Sequence, residues 1–137
     1  AVAVSELTPQ FRNMYIENVW CTNAKAAVLV RGLPEMPVQN IQIKNLNIET
    51  EQGVNCVYGQ DILIDGFNLT VRDKDANTIQ NSKNVEMKGL NVDGFSNQMI
   101  VVKGEQTSNI RLVGGVKPLS SKDVTLIGTK ISEVKLK

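Results

Sequence analysis

Apolar and polar residues alternate along this chain with a period of two, and the alternation is itself repeated. The phrase Asn13-Met14-Tyr15-Ile16-Glu17-Asn18-Val19 returns as Asn40-Ile41-Gln42-Ile43-Lys44-Asn45-Leu46 and as Asp61-Ile62-Leu63-Ile64-Asp65-Gly66-Phe67. It returns again as Asn84-Val85-Glu86-Met87-Lys88-Gly89-Leu90, with weaker copies at 109–114 and 123–128. The starts lie 27, 21, 23, 25 and 14 residues apart. Irregular steps of this size mean equal structural coils joined by loops of different length. The second column of the phrase (Met14, Ile41, Ile62, Val85, Ile110, Val124) and the fourth (Ile16, Ile43, Ile64, Met87, Leu112, Leu126) are apolar throughout. Polar residues dominate between them in the first four copies, so the elements are strands and not helices.

The sixth column reads Asn18, Asn45, Gly66, Gly89, Gly114, Gly128. Asn and Gly tolerate the left-handed backbone, so each copy bends at the same place. Apolar residues resume at Val19, Leu46, Phe67 and Leu90, then at Cys21, Ile48, Leu69 and Val92. A third segment recurs at 27–31, 54–58, 76–80 and 99–103, ending at Gly32, Gly59, Asn81 and Gly104. Strand, corner, strand, loop, strand and turn in about 24 residues predict a right-handed, single-stranded parallel β-helix, an all-β fold in which no coil is stable alone. The expected organisation is one domain over 1–137, with about four full coils in repeats over 8–104 and a C-terminal cap over 105–137. Opposite charges at Glu17, Lys44, Asp65 and Lys88, and again at Glu86 and Arg111, fall on neighbouring coils and favour this register. An antiparallel sandwich would need short Gly-containing hairpins instead, and the matched columns oppose it.

Composition then narrows the function. At 137 residues with 42% hydrophobic, the chain suits one ordinary core. Lys and Arg number 15 against 14 acidic residues, scattered along the chain, so nucleic acid is not an expected partner. The longest apolar run, 26–30, is too short to span a bilayer, and no membrane partner is expected. The absence of His removes Ser-His-Asp and Cys-His chemistry from this chain, together with most zinc sites. Two cysteines, Cys21 and Cys56, make neither a disulfide scaffold nor a CxxC site. They fall at different phases of the coil and read as two buried free thiols. No cofactor or metal is expected.

The stretch Thr8-Pro9-Gln10-Phe11-Arg12-Asn13-Met14-Tyr15-Ile16-Glu17-Asn18-Val19-Trp20-Cys21, then Ala26-Ala27-Val28-Leu29-Val30-Arg31-Gly32-Leu33-Pro34-Glu35-Met36-Pro37 and residues 40–45, resembles glycoside hydrolase family 28, the polygalacturonase-like pectinases. The phrase from Gly32 to Pro37 is its most specific element. The match covers 8–48 well and later coils through their rhythm alone. The resemblance implies a right-handed parallel β-helix and inverting hydrolysis of pectic polysaccharide, with acid and base carboxylates about 6.5–9.5 Å apart. The family's Asn-Thr-Asp, Asp-Asp, Gly-His-Gly and Arg-Ile-Lys motifs are not in this chain, and Asn77-Thr78-Ile79 has Ile where the first needs Asp. Those motifs lie on preceding coils in the family, so the expectation is the C-terminal structural portion of a longer enzyme. That parent would be secreted or periplasmic by resemblance, since 1–6 show no leader pattern. This chain alone has no catalytic residues and is expected to release no galacturonic acid.

The candidate substrate-binding residues are Arg31, Glu35 and Tyr58, at or after the third strand, where the family's groove runs. Arg pairs bidentately with carboxylates and Tyr stacks on sugar faces; ordinary loop decoration is the competing reading. Asp73 and Asp75 read as a solvated loop compensated by Arg72 and Lys74, with a carboxylate pair for acid/base work or calcium as the alternative. Asp61 occupies the Asn column and reads as a ladder residue. Trp20, on an outward phase, reads as cover for a neighbouring loop. Asn68-Leu69-Thr70 is a glycosylation sequon inside an expected strand. Five lysines over 117–137 suggest solubility. A stand-alone carbohydrate-binding β-helix, a structural solenoid such as an adhesin or tailspike piece, and a pectate lyase fragment remain as alternatives. An exposed first coil would leave unpaired strand edges, so the isolated chain is expected to associate end to end.

Overall fold

Parallel pairing between residues one coil apart sets the architecture. The computed structural model describes residues 12–72, 75–94 and 98–137. Asp73 and Lys74 lie outside the described residues, as does the side chain of Asp75, and so do residues 8–11 of the stretch that carries the family resemblance. The strands are β1 (Arg12–Arg31), β2 (Val38–Val57), β3 (Gly59–Val71), β4 (Asp75–Gln80), β5 (Lys83–Asp93), β6 (Gln98–Lys103), β7 (Ser108–Gly114), β8 (Val124–Ile127) and β9 (Val134–Leu136). Every strand-to-strand ladder among them is parallel. Two short 3-10 turns, Ser121–Asp123 and Ile131–Glu133, precede β8 and β9. The result is a β-solenoid of about five turns, consistent with a right-handed parallel β-helix, and a hairpin-built sandwich is ruled out.

Three faces follow from the register. On the first, Met14, Ile41, Ile62, Val85, Ile110 and Val134 stack in one inward column, and Ile16, Ile43, Ile64, Met87, Leu112 and Leu136 in another. On the second, Val19, Leu46, Phe67 and Leu90 stack. On the third, Val30, Cys56, Ile79, Val102 and Leu126 stack. Ile64, Phe67, Ile79, Met87, Ile100 and Leu112 are all fully buried. A buried side chain of this size contributes about 1.5–3 kcal/mol.

The corners are left-handed, as the Asn and Gly columns require. Asn13, Asn40, Asp61, Asn84 and Asn109 have φ between 52° and 59°, and Asn18, Asn45, Gly66 and Gly89 repeat the conformation one strand later. Amides bridge the coils at these corners. Asn40 Nδ2 donates to Asn13 Oδ1 at 2.7 Å, Asn84 Nδ2 to Asp61 Oδ1 at 3.0 Å, and Asn109 Nδ2 to Asn84 Oδ1 at 2.7 Å. Asp61 is therefore a ladder residue, but its carboxylate has no N–H to pass to Asn40. Asp61→Asn should supply that donor and raise stability by about 0.5–1.5 kcal/mol, read as a higher urea midpoint with unchanged slope.

Four details differ from the sequence pattern. The stretch 105–137, expected as a cap, carries the stack onward: β7 pairs with β5, β8 with β6 and β9 with β7. The phrase at 123–128 lies on the third face, and the sixth first-face copy is Val134–Leu136, opposite Ile110 and Leu112. Left-handed backbone at the third-face turn belongs to Tyr58 (φ 52°), Asn81, Gly104 and Gly128, with Tyr58 where Gly59 was expected. The Glu86–Arg111 pair forms across the coils as the register predicts, and the other charges pair differently. Lys88 Nζ lies 3.1 Å from Glu86 on its own strand, Arg111 lies 3.4 Å from Glu86, and Lys44 sits over the Tyr15 ring, 5.8 Å from its centroid. A long flexible side chain reaches the nearest carboxylate irrespective of coil, so strand register alone does not select its partner.

Candidate functional site

The turn between the third and first faces holds all three sequence-predicted binding residues. Arg31 ends β1, Glu35 sits in the following loop, and Tyr58 lies one coil on, between β2 and β3. The loop is closed by reciprocal backbone bonds, Leu33 N to Met36 O and Met36 N to Leu33 O, each 3.0 Å. Gly32 opens it because a Cβ there would collide with the Tyr58 carbonyl. Gly32 N donates to Val57 O at 2.8 Å and Val38 N to Tyr58 O at 3.1 Å, so this corner is tied to the coil above by its backbone. Tyr58 is half-buried, and its hydroxyl accepts from Asn81 Nδ2 at 3.4 Å. Arg31 is exposed and lines a different feature, the open end of the solenoid.

That open end is the exposed first coil expected from the sequence, although the column pattern read its inward residues as core. Met14 and Ile16 occupy inward columns, yet they are 46% and 40% exposed, whereas Ile41 and Ile43 one coil up are 4%. Leu29 on the third face is also exposed. With Val28, Ile41 and Ile43 these residues line an apolar groove of about 350 Å3. The same edge effect explains Cys21. It shares an inward column with Ile48 but is exposed, because among the described residues no coil lies beneath the first to cover it. Cys56 is buried as expected, and both thiols are free. Burial pushes the Cys56 thiol up, against hydrogen bonding with Ser82 and the Gly59 N–H that pull it down.

Trp20, read as cover for a neighbouring loop, is 73% exposed on the second face. Tyr15, exposed on the first face, donates its hydroxyl to Glu17 at 2.8 Å, which holds the phenol above its ordinary pKa. The sequon residue Asn68 is exposed within β3, but its amide donates to Asn47 Oδ1 at 3.2 Å and accepts from Asn91 at 3.3 Å. No group of three or more His, Cys, Asp or Glu able to hold a metal occurs among the described residues.

Electrostatics at the open end are mild. Arg31 borders an otherwise aliphatic lining, so the groove offers no anchor for a multiply charged ligand. Its chemistry suits another apolar coil, whose inward side chains would complete the columns that Met14 and Ile16 begin. Comparison of the chain with protein-family models, with curated proteins and with solved structures finds no match.

Proposed function

We propose that this chain is a structural run of β-helix coils that joins a longer stack through its first coil. The exposure of inward-facing Met14 and Ile16 carries this reading. Apolar side chains in register for a core, left uncovered beside a free strand edge, mark a contact surface. The finer reading is that the longer stack is a polygalacturonase-like glycosidase of family 28, secreted or periplasmic and acting on pectic polysaccharide. The residues shared with that family between 8 and 48 support it. In that parent these coils extend and close the solenoid without contributing a catalytic carboxylate. Arg31, Glu35 and Tyr58 would border the far end of its substrate groove.

A single substitution tests the stacking. In this chain alone Ile16→Lys should cost under about 1 kcal/mol, because the ammonium reaches water past a half-exposed position. In the full-length gene product the same change should cost about 3 kcal/mol or more, since a covering coil would bury the charge without a partner. Equal small losses in both, read by urea unfolding, would show that no coil covers β1. The isolated wild-type chain should also associate end to end, seen as a mass that rises with concentration in sedimentation, and Ile16→Lys should suppress it.

A further inference from the structure

The second face carries an outward column that the stacking does not use. Trp20 pairs in register with Asn47, Asn47 with Asn68, and Asn68 with Asn91, one residue per coil. The amides are linked to one another, and at the far end Asn91 Oδ1 accepts from the Val116 N–H at 2.8 Å. A carboxamide has two N–H donors and two acceptor lone pairs. A link to each neighbour uses one of each on Asn68, which leaves one donor and one acceptor for a ligand. The spacing of these groups is the strand spacing, about 4.8 Å.

Two clefts flank the column and meet at Asn68. One, of about 420 Å3, is lined by residues that include Trp20, Cys21, Asn47, Ile48, Glu49 and Asn68. The other, of about 670 Å3, is lined by residues that include Asn68, Asn91, Asp93, Val116 and Lys117. Sharing Asn68, they make one trough along the solenoid axis, of a size that holds small ligands or a short length of a polymer.

The lining selects the chemistry of the occupant. A single exposed indole offers a flat apolar platform, and the amides above it repeat at a fixed step. A peptide strand would need a free backbone edge to pair with, and this surface presents side chains from the face of a sheet. Nucleic acid would need basic contacts to phosphate, and the row beside the amides holds Glu49 and Asp93 on alternate coils, with Thr70 between them. Those carboxylates equally repel a uronate polymer. A neutral, extended glycan has flat faces for the indole and hydroxyls for the amides, and its sugars recur at a step comparable to the coil spacing.

We propose that this trough binds a neutral, linear polysaccharide, with Trp20 stacking on one sugar ring and Asn47, Asn68 and Asn91 hydrogen-bonding hydroxyls of successive sugars. Trp20 is the single tryptophan of the chain, so its fluorescence reports the site directly. The experiment titrates the protein, at one fixed concentration, with the β-1,4-linked hexaoses of glucose, mannose and xylose, and in parallel with hexagalacturonate. At least one neutral hexaose should shift the Trp20 emission saturably, with half-saturation below about 1 mM, and hexagalacturonate should not. By calorimetry, Trp20→Ala should weaken that binding at least about tenfold, or 1.4 kcal/mol, with an unchanged thermal midpoint because the side chain is exposed. No response to any neutral hexaose overturns the proposal, and so does tighter binding of hexagalacturonate or undiminished binding by Trp20→Ala.

Discussion

Phe67→Ala should lower the unfolding free energy by about 3–5 kcal/mol, read as a fall in the urea midpoint. Phe67 is fully buried and stands between Leu46 below and Leu90 above in the second-face column. Truncation leaves a cavity where two coil interfaces meet. The hydrogen-bonded ladders from Leu46 to Phe67 and from Phe67 to Leu90 hold the backbone in place, so the walls have little freedom to collapse inward. A solenoid's stability is approximately the sum of its coil stabilities and its nearest-neighbour interfaces, so a defect at Phe67 weakens the joint between the coils on either side. Hydrogen exchange should accordingly show amides of β2 and β5 losing protection together. Phe67→Leu keeps most of the volume and should cost about 1–1.5 kcal/mol. A loss near 1 kcal/mol for the alanine variant would mean that the coils close around the gap.

The columns made the fold legible because every coil must present the same kind of residue to the same part of a shared interior. Ile41, Ile62 and Val85 share a role, so they share a chemistry, and the Asn and Gly corners between them locate the bends. The same logic misplaced the last coil. Asp123-Val124-Thr125-Leu126 imitates the first-face phrase, while the true continuation at Val134 is preceded by Glu133 in a 3-10 turn and has no Asn to announce it. The left-handed backbone at Tyr58 was hidden by Gly59, the residue that ordinarily takes such a conformation, because the turn's position is set by the coil it pairs with.

The candidate sites were less legible because a column says which way a side chain points and nothing about whether a coil lies beyond it. Met14, Ile16 and Cys21 read as core and are surface for that reason. Arg31, Glu35 and Tyr58 lie at one corner, yet Tyr58 is engaged with Asn81 and Arg31 faces the open end. Trp20 and Asn68 were read one at a time, and the register that sets them in one outward row with Asn47 and Asn91 comes from the structure.

Asn77 is where the interior breaks its own rule, and its replacement gives the second large effect. It pairs in register with Ile100, in an inward column, and is fully buried. Its Oδ1 accepts from the Val54 N–H at 2.8 Å, and its Nδ2 donates to the Met99 carbonyl at 3.2 Å, so one side chain ties three successive coils. Asn77→Leu keeps the volume but strands a buried donor and a buried acceptor, and should cost about 2–4 kcal/mol at every pH. Asn77→Asp separates hydrogen bonding from shape. Below about pH 4 the acid is protonated, its O–H can take the place of the amide donor to Met99, and stability should stay within about 1 kcal/mol of the wild type measured at the same pH. Burial raises the folded-state pKa of the introduced acid above its unfolded value near 3.9. The folded state then holds the proton more tightly, so stability relative to wild type is retained below the unfolded pKa and falls as pH rises towards the folded one. By pH 7 the loss should reach about 3 kcal/mol or more, the opposite of the usual behaviour of a salt-bridged carboxylate. Asn77→Asp and Asn77→Leu variants with the same flat pH dependence would show that the side chain fills space in the core and that its two hydrogen bonds contribute nothing to the coil joints.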